Sequence, residues 1–295
     1  MLIYKIIYYI ITMNLFLIVI NPSKTATITL NSFLKSNENF KEVDIKIIDS
    51  IESFLSYSSS NQMSVKDAIY RITSNDISRE IELDILMRGV KSMHNKDLWL
   101  YQYKSKTILN QYRNVQMVPT RIVLSSDKKY LDNLVEELGG YPIIIKAPKG
   151  SHGVGVIKVE THETLYSIID FMTAQDVDVA LKKYIEADGH YRVIVLDNKV
   201  LSTIKYNKPD KDFRTNAGEP EVVSIQLPQT GIDVALDAVS KQDLQTNFGG
   251  VDLIWSEQDQ KFYVMEVNFP CFFPRNESVD NISISSAIIQ YLLDK

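Results

Sequence analysis

Residues 249–268 read GGVDLIWSEQDQKFYVMEVN. Two apolar runs, Gly250–Trp255 and Phe262–Val267, flank a polar break at Ser256–Lys261, which is the pattern of a β-hairpin. With the turn centred on Asp259, Asp252 falls across the ladder from Glu266. Glu266 and Asn268 stand two apart, so their side chains share one face of their strand. Two carboxylates and an amide are therefore expected together at one end of an apolar hairpin. All three are hard oxygen donors of the kind Mg²⁺ takes, usually shared with substrate phosphates. Taken singly, each has an ordinary alternative: Asp252 ending a turn, Glu266 in solvent, Asn268 capping the strand. Three on one face favour the metal.

The composition sets limits around this hairpin. The chain has 295 residues, enough for two or three lobes, with 45% hydrophobic and 23% charged residues, as in ordinary globular proteins. A net charge of −5 gives no basic face for nucleic acid. One cysteine, Cys271, excludes internal disulfides and a cysteine-rich metal site. The histidines at 94, 152, 162 and 190 have no zinc-protease spacing.

The first twenty residues, MLIYKIIYYIITMNLFLIVI, are apolar over about the length of a membrane span. The run Asn14–Ile20 followed by Asn21-Pro22-Ser23 reads instead as a buried first strand entering a helix. That reading is preferred, with residues 1–12 as an apolar extension and no small-residue cleavage site for a signal peptide. A cytoplasmic protein without a membrane span is the resulting expectation.

Along the chain, residues 13–97 alternate strands and helices: strand 14–20, a helix through Leu30–Leu34, strand Val43–Ile48, a polar loop Ser56–Ser64, strand Asp67–Ile72 and helix Ser78–Val90. Such alternation implies parallel strands with crossover helices. Arg71, inside AIYRIT, belongs at a strand end or points into a cleft. From 98 to 183 a linker and helix over Leu98–Tyr112 carry Lys104 and Lys106, and helix Asp127–Leu138 stops at Gly139-Gly140. Strand Tyr141–Ala147 holds Lys146, and KGSHGVGVIKV follows. Helix Glu163–Ala174 and strand Val177–Ile185 complete this segment. From 184 to 295, Asp197-Asn198 turns a tight hairpin. A polar loop with Arg214 and Asn216 precedes helix Ile232–Thr246. The tail beyond Asn268 carries aromatic residues, prolines and Arg275 before a final helix, Ile284–Leu293.

The glycine loop, Gly150 to Gly155, is neither a Walker loop nor a dinucleotide motif: no Lys-Ser/Thr follows it, and a strand stands where a helix should start. A glycine hairpin between strands can still fold over phosphates through bare backbone N–H groups. Alone it would be only a tight turn. Lys146 on the strand beneath it favours a ligand, because a lysine in an apolar strand seldom stays buried unpaired.

Together, AIYRIT, Lys104, PIIIKAPKGSHGVGV, HYRVIV, DFRTN, GGVDLIW and VMEVN resemble the ATP-grasp superfamily, specifically the RimK-type amino-acid (α-L-glutamate) ligases, over nearly the whole chain. The resemblance implies an α/β (α+β) fold in three parts: a Rossmann-like pre-ATP-grasp lobe (13–97), a small central lobe (98–183) and a C-terminal lobe (184–295), with ATP between the last two. It implies an ATP- and Mg²⁺-dependent carboxylate–amine ligase, with Mn²⁺ as alternative ion, acting through an acyl phosphate on a peptide, protein or amino acid. Homo-oligomers are among the assemblies open to it.

Carried over by position, Lys104 and Lys146 resemble the phosphate-neutralising lysines. Gly150, Ser151, His152, Gly153, Val154 and Gly155 resemble the loop that closes on ATP, and Lys183, Tyr184 and Ile185 the adenine-reading segment. Arg192, Arg214 and Asn216 take the catalytic positions, and Asp252, Glu266 and Asn268 the Mg²⁺ positions. Apart from the resemblance, Arg275 with Arg71 is expected to bind a substrate carboxylate through a bidentate pair, the alternative being that Phe272, Phe273 and Pro274 pack the final helix with Arg275 in solvent. Three departures stand out: Lys182-Lys183 where the family usually has Gln-Glu, His190 where an acidic residue is common, with Asp188 or Glu186 as substitute ribose acceptors, and Phe-Pro-Cys-Phe-Phe-Pro after Asn268 in place of a short loop ending in Pro-Gly. Two other readings remain, an ATP-binding module without catalysis and a membrane-tethered ATP-grasp protein.

Overall fold

The computed structural model describes residues 13–60, 62–93, 114–147, 154–215, 220–240 and 247–295. Its contacts group them into two compact units: the residues up to Met93 with Pro270–Lys295, and those from Asn114 to Phe269. The expected helix over 98–112, with Lys104, lies outside the described residues, as does most of the glycine loop.

The first unit is built on a parallel sheet in the order β2-β1-β3-β4, from β1 (Met13–Ile18), β2 (Val43–Ile48), β3 (Ala68–Arg71) and β4 (Lys91–Ser92). Its helices are α1 (Lys24–Asn37), α2 (Ile51–Ser59) and α3 (Asp76–Met87), capped by Ser23, Ser50 and Asn75. Helix α2 replaces part of the expected Ser56–Ser64 loop. Four serines in nine residues hide its helical signal, but Ser50 and Ser53 form a reciprocal capping box that starts it. Parallel strands are covered on both faces, and Leu15–Ile18 are fully buried as that requires.

Residues 270–295, grouped by the sequence with 184–269, pack on α1. They form α7 (Pro274–Asp280) and α8 (Ile284–Asp294). Helix α7 was not expected; Pro274 starts it in the first helical turn, where its missing N–H costs nothing. Phe33 packs against Tyr70 and Phe273, with ring centroids 4.8 and 5.9 Å apart. Ser36 Oγ lies 2.7 Å from Ser285 Oγ, and Glu277 accepts from Ser32 and from the Ser285 backbone N–H.

The second unit holds two antiparallel sheets. One has the order β5-β8-β6-β7: β5 (Thr120–Ile122), β6 (Ile143–Lys146), β7 (Val156–Val159) and β8 (Ala180–Lys183). Its Ile143, Ile145 and Leu181 form a core with α4 (Lys128–Glu137) and α5 (His162–Ala174). The other has the order β11-β10-β9-β12-β13: β9 (Gly189–Leu196), β10 (Lys199–Asn207), β11 (Val222–Ser224), β12 (Phe248–Ser256) and β13 (Lys261–Asn268). Its Val193, Val195, Val251, Leu253 and Val264 pack with α6 (Gln229–Ser240). Asp197 and Asn198 both take positive φ, as a two-residue hairpin turn needs. Among the described residues no helix is long and apolar enough to cross a membrane.

Candidate active site

Strand parity leaves one face of each antiparallel sheet for a cavity within the second unit. Ile143 and Ile145 point to their helices, so Ile144 and Lys146 point the other way; Val251 and Leu253 are core, so Asp252 and Ile254 are not. The cavity so formed lies between the two sheets. Lys146, Val154, Lys183, Tyr184, Ile185, Arg214, Asp252 and Glu266, eight of the residues picked from the sequence, line it together.

Its polar end is a single row across three strands. Arg192 on β9 stands opposite Asp252 on β12, and Asp252 opposite Glu266 on β13. Arg192 binds Asp252 through two nitrogens, with Nη2 2.9 Å from Oδ2. Lys146 Nζ reaches Glu266 from the other sheet at 2.9 Å. Asn268 Nδ2 donates to both carboxylates at 3.2 Å. Charge thus alternates in pairs, two cations against two carboxylates, with the amide bridging the anions.

The expected Asp252–Glu266 pairing arises by a different register. The hairpin closes at Ser256–Lys261, so the turn is centred between Gln258 and Asp259, and Leu253 pairs with Val264. An extra residue, Met265, then shifts the ladder and sets Asp252 opposite Glu266. The bulge also reverses parity, so Met265 and Glu266 both line the cavity while Val264 and Val267 both stay in the core.

At the other end the lining is apolar: Val118, Ile144, Ile185 and Ile254. Lys183 closes this side, its Nζ 2.7 Å from Asp259 Oδ2 in the β12–β13 turn. Asp259 also accepts from Tyr263 Oη at 2.9 Å and Ser256 Oγ at 3.0 Å. The Lys183 hydrogen bond above all holds the Asp259 carboxyl below its ordinary pKa. This anchor was not legible in the sequence, because Asp259 looked like one more polar turn residue. Lys158 sits over the Tyr184 ring at 4.5 Å.

His190 lines the cavity on β9, two residues before Arg192. Only 4% of it is exposed, and burial pushes its pKa down. Its ring stacks on Tyr206 with centroids 4.6 Å apart and planes 11° from parallel. Gly189 precedes it where a Cβ would stand 2.2 Å from the Tyr206 carbonyl oxygen, so only glycine lets the strands approach there.

Arg214 enters from the loop after β10, its guanidinium against Asp212 at 2.7 Å. Gly155 has φ +79° and accepts from the Ala147 N–H at 2.9 Å, closing the base of the glycine loop. Lys104, Gly150, Ser151, His152, Gly153 and Asn216 lie outside the described residues.

Arg71 does not behave as expected. It is 4% exposed, with Nε 2.5 Å from Glu82 and Nη1 3.0 Å from the Thr73 carbonyl. The strand-end arginine turns toward α3 and neutralises a buried carboxylate, so its fork is not open to a substrate. Arg275 lies half-buried in the first turn of α7. A second cavity, in the first unit, opens at the carboxyl ends of β1 and β3 between Ser23, Asn75 and Phe272.

Among the described residues no three His, Cys, Asp or Glu side chains cluster to hold a metal. The Asp252, Glu266 and Asn268 set fits Mg²⁺ nonetheless: two carboxylates supply hard oxygens, and an amide within 3.2 Å of both offers a third after turning over.

Residues 101–292 match the sequence profile of the RimK-like ATP-grasp domain. A Picosynechococcus protein named "Probable alpha-L-glutamate ligase" is 30% identical over 167 residues, covering 55% of this chain and 54% of that protein. A Psychromonas ingrahamii protein of the same name is 29% identical over 175 residues, 58% and 57% of the two chains. The chain spans about half the length of the curated relatives it matches. Among solved structures, D-alanine–D-alanine ligase from Bacillus anthracis complexed with ATP superposes with a TM-score of 0.71 at 17% identity, covering 96% of each chain. D-cycloserine synthetase DcsG gives 0.71 at 15% identity, covering 95% of this chain and 99% of that one. At such identities these two matches speak for the fold alone.

Proposed function

The chain belongs to the RimK-like ATP-grasp family, and from that premise we propose that it is an ATP-dependent carboxylate–amine ligase. The observation that carries the reading is a cavity lined by apolar side chains and by Lys146, Asp252 and Glu266, with Arg192 paired to Asp252. An apolar slot suits a purine base, and clustered cations suit a triphosphate.

In the proposed reaction a substrate carboxylate oxygen attacks the γ-phosphorus of ATP. The bond to the bridging oxygen breaks, leaving ADP and an acyl phosphate. An amine then attacks the acyl carbon, inorganic phosphate departs and the nitrogen loses a proton, leaving an amide. Phosphoryl transfer needs positioning and charge neutralisation more than covalent help. Lys146 and Lys183 would bind and orient ATP, while Arg192 and Arg214 would offset charge on the transferring group. Asp252, Glu266 and Asn268 would hold Mg²⁺, which when bound screens the charge of adjacent phosphates.

The relatives' name makes glutamate the first amine to try, with amino acids and short peptides as acceptors. The protein is incubated with ATP, Mg²⁺ and each pair, following phosphate release and product mass. A product equal to the two substrates less one water, with one ADP per bond, is expected. Nucleotide binding without any condensation product across the panel would instead favour a binding module.

A further inference from the structure

We infer that Phe269, seated over Gly249, is a positioning residue that holds the Asn268 amide between Asp252 and Glu266; its bearing on metal binding rests on the metal reading of those three residues. Asn268 is the last residue of β13. Its ladder partner is Gly250, which has no side chain to support it. Pro270 follows two positions on and has no N–H with which to extend the ladder. A strand end of this kind frays unless something ties it down. Yet the Asn268 amide sits 3.2 Å from both carboxylates.

The tie is the next side chain. Val267 and Phe269 stand two apart and share the core face, so Asn268 between them points the other way. The Phe269 ring lies directly on Gly249 of β12, where a Cβ would stand 2.7 Å from Cε1 and 3.2 Å from Cζ. Val239 of α6 closes the same space, 3.4 Å from that Cβ position. Gly249 has an ordinary strand backbone, so what glycine supplies there is room for the ring. A ring held between a strand and a helix fixes its own Cα and, through one peptide unit, that of Asn268. The amide then keeps only its side-chain torsions. A ligand held in this way loses less conformational entropy when it takes a metal.

The test measures Kd by calorimetry for ADP with EDTA and for the Mn²⁺–ADP complex, on the wild type and on Asn268→Ala, Phe269→Ala and the double variant. The ratio of the two constants is the metal's share of binding. The wild type should bind Mn²⁺–ADP more tightly than ADP, and Asn268→Ala should lose most of that gain. Phe269→Ala should lose about tenfold of it with metal-free ADP binding unchanged, the low end of what residues supporting metal ligands contribute. The double variant should lose no more than Asn268→Ala alone. Gly249→Ala, which drives the ring out without removing it, should match Phe269→Ala, and it decides if Phe269→Ala does not fold. A gain kept in full by Phe269→Ala, or a loss in the double variant that adds to that of Asn268→Ala, overturns the inference and leaves the metal reading standing. A wild type with no metal gain, or an Asn268→Ala variant that keeps it, overturns both.

Discussion

Asp252 faces Glu266 only because β13 gains one residue at Met265. Without that bulge the register of the turn would set Asp252 against Met265 and aim Glu266 toward α6. The two carboxylates also differ in setting. The Asp252 side chain is 8% exposed against Arg192, while that of Glu266 is 41% exposed beside Lys146.

Asp252→Asn and Glu266→Gln should therefore part company. Both should cut Mg²⁺-dependent turnover by orders of magnitude. Asp252→Asn should also lower stability by about 1–3 kcal/mol, because Arg192 loses a largely buried counter-charge. Glu266→Gln should melt within about 0.5 kcal/mol of wild type. Urea unfolding and steady-state assays on the two variants check this; a fully active Glu266→Gln would remove it from the metal set.

Arg214→Ala is expected to reduce kcat with the ATP dissociation constant little changed. Its guanidinium is already neutralised by Asp212 at 2.7 Å, so a contact made mainly in the transition state fits it better than ground-state binding. Calorimetry beside turnover separates the two, and a loss confined to ATP affinity would place Arg214 in the binding set.

Arg71→Met should destabilise the protein, since Glu82 would lose the buried arginine 2.5 Å from it. Arg71→Met combined with Glu82→Leu should recover most of that loss. Denaturant unfolding of single and double variants is the measurement. A stable single variant with a raised KM would return Arg71 to the substrate site.

The Lys183–Asp259 anchor predicts a pH dependence. The folded pKa of Asp259 lies below its unfolded value of about 3.9, so its contribution is fully present above about pH 5 and is lost as pH falls through the lowered folded value. The stability difference between wild type and Asp259→Asn should thus be constant near neutrality and vanish in acid. A difference that grows toward low pH would contradict the anchor.

Local patterns carried much of the site. Alternation in PIIIKAP and GGVDLIW tells which residues leave the core, and it set Lys146 and Asp252 on the open faces without any tertiary information. Two-residue spacing put Glu266 and Asn268 on one face, while the bulge decided that this face is the open one, and Asp197-Asn198 declared its turn. Helix α2 escaped because serine is as common in caps and loops as in helices; α7 escaped because a proline-led helix of about two turns resembles a stiff tail.

The alternation of elements and the open faces of β6 and β12 are each written within a few consecutive residues. Partnership was decided only in the tertiary structure. Arg71 turned to Glu82 eleven positions on, Lys183 to Asp259 across 76, and α1 to residues after 270. A charged side chain is stabilised by whichever opposite charge the fold brings within reach, and no periodicity records that distance. The bulge at Met265 is of the same kind: one added residue, invisible in composition, selects which two carboxylates meet.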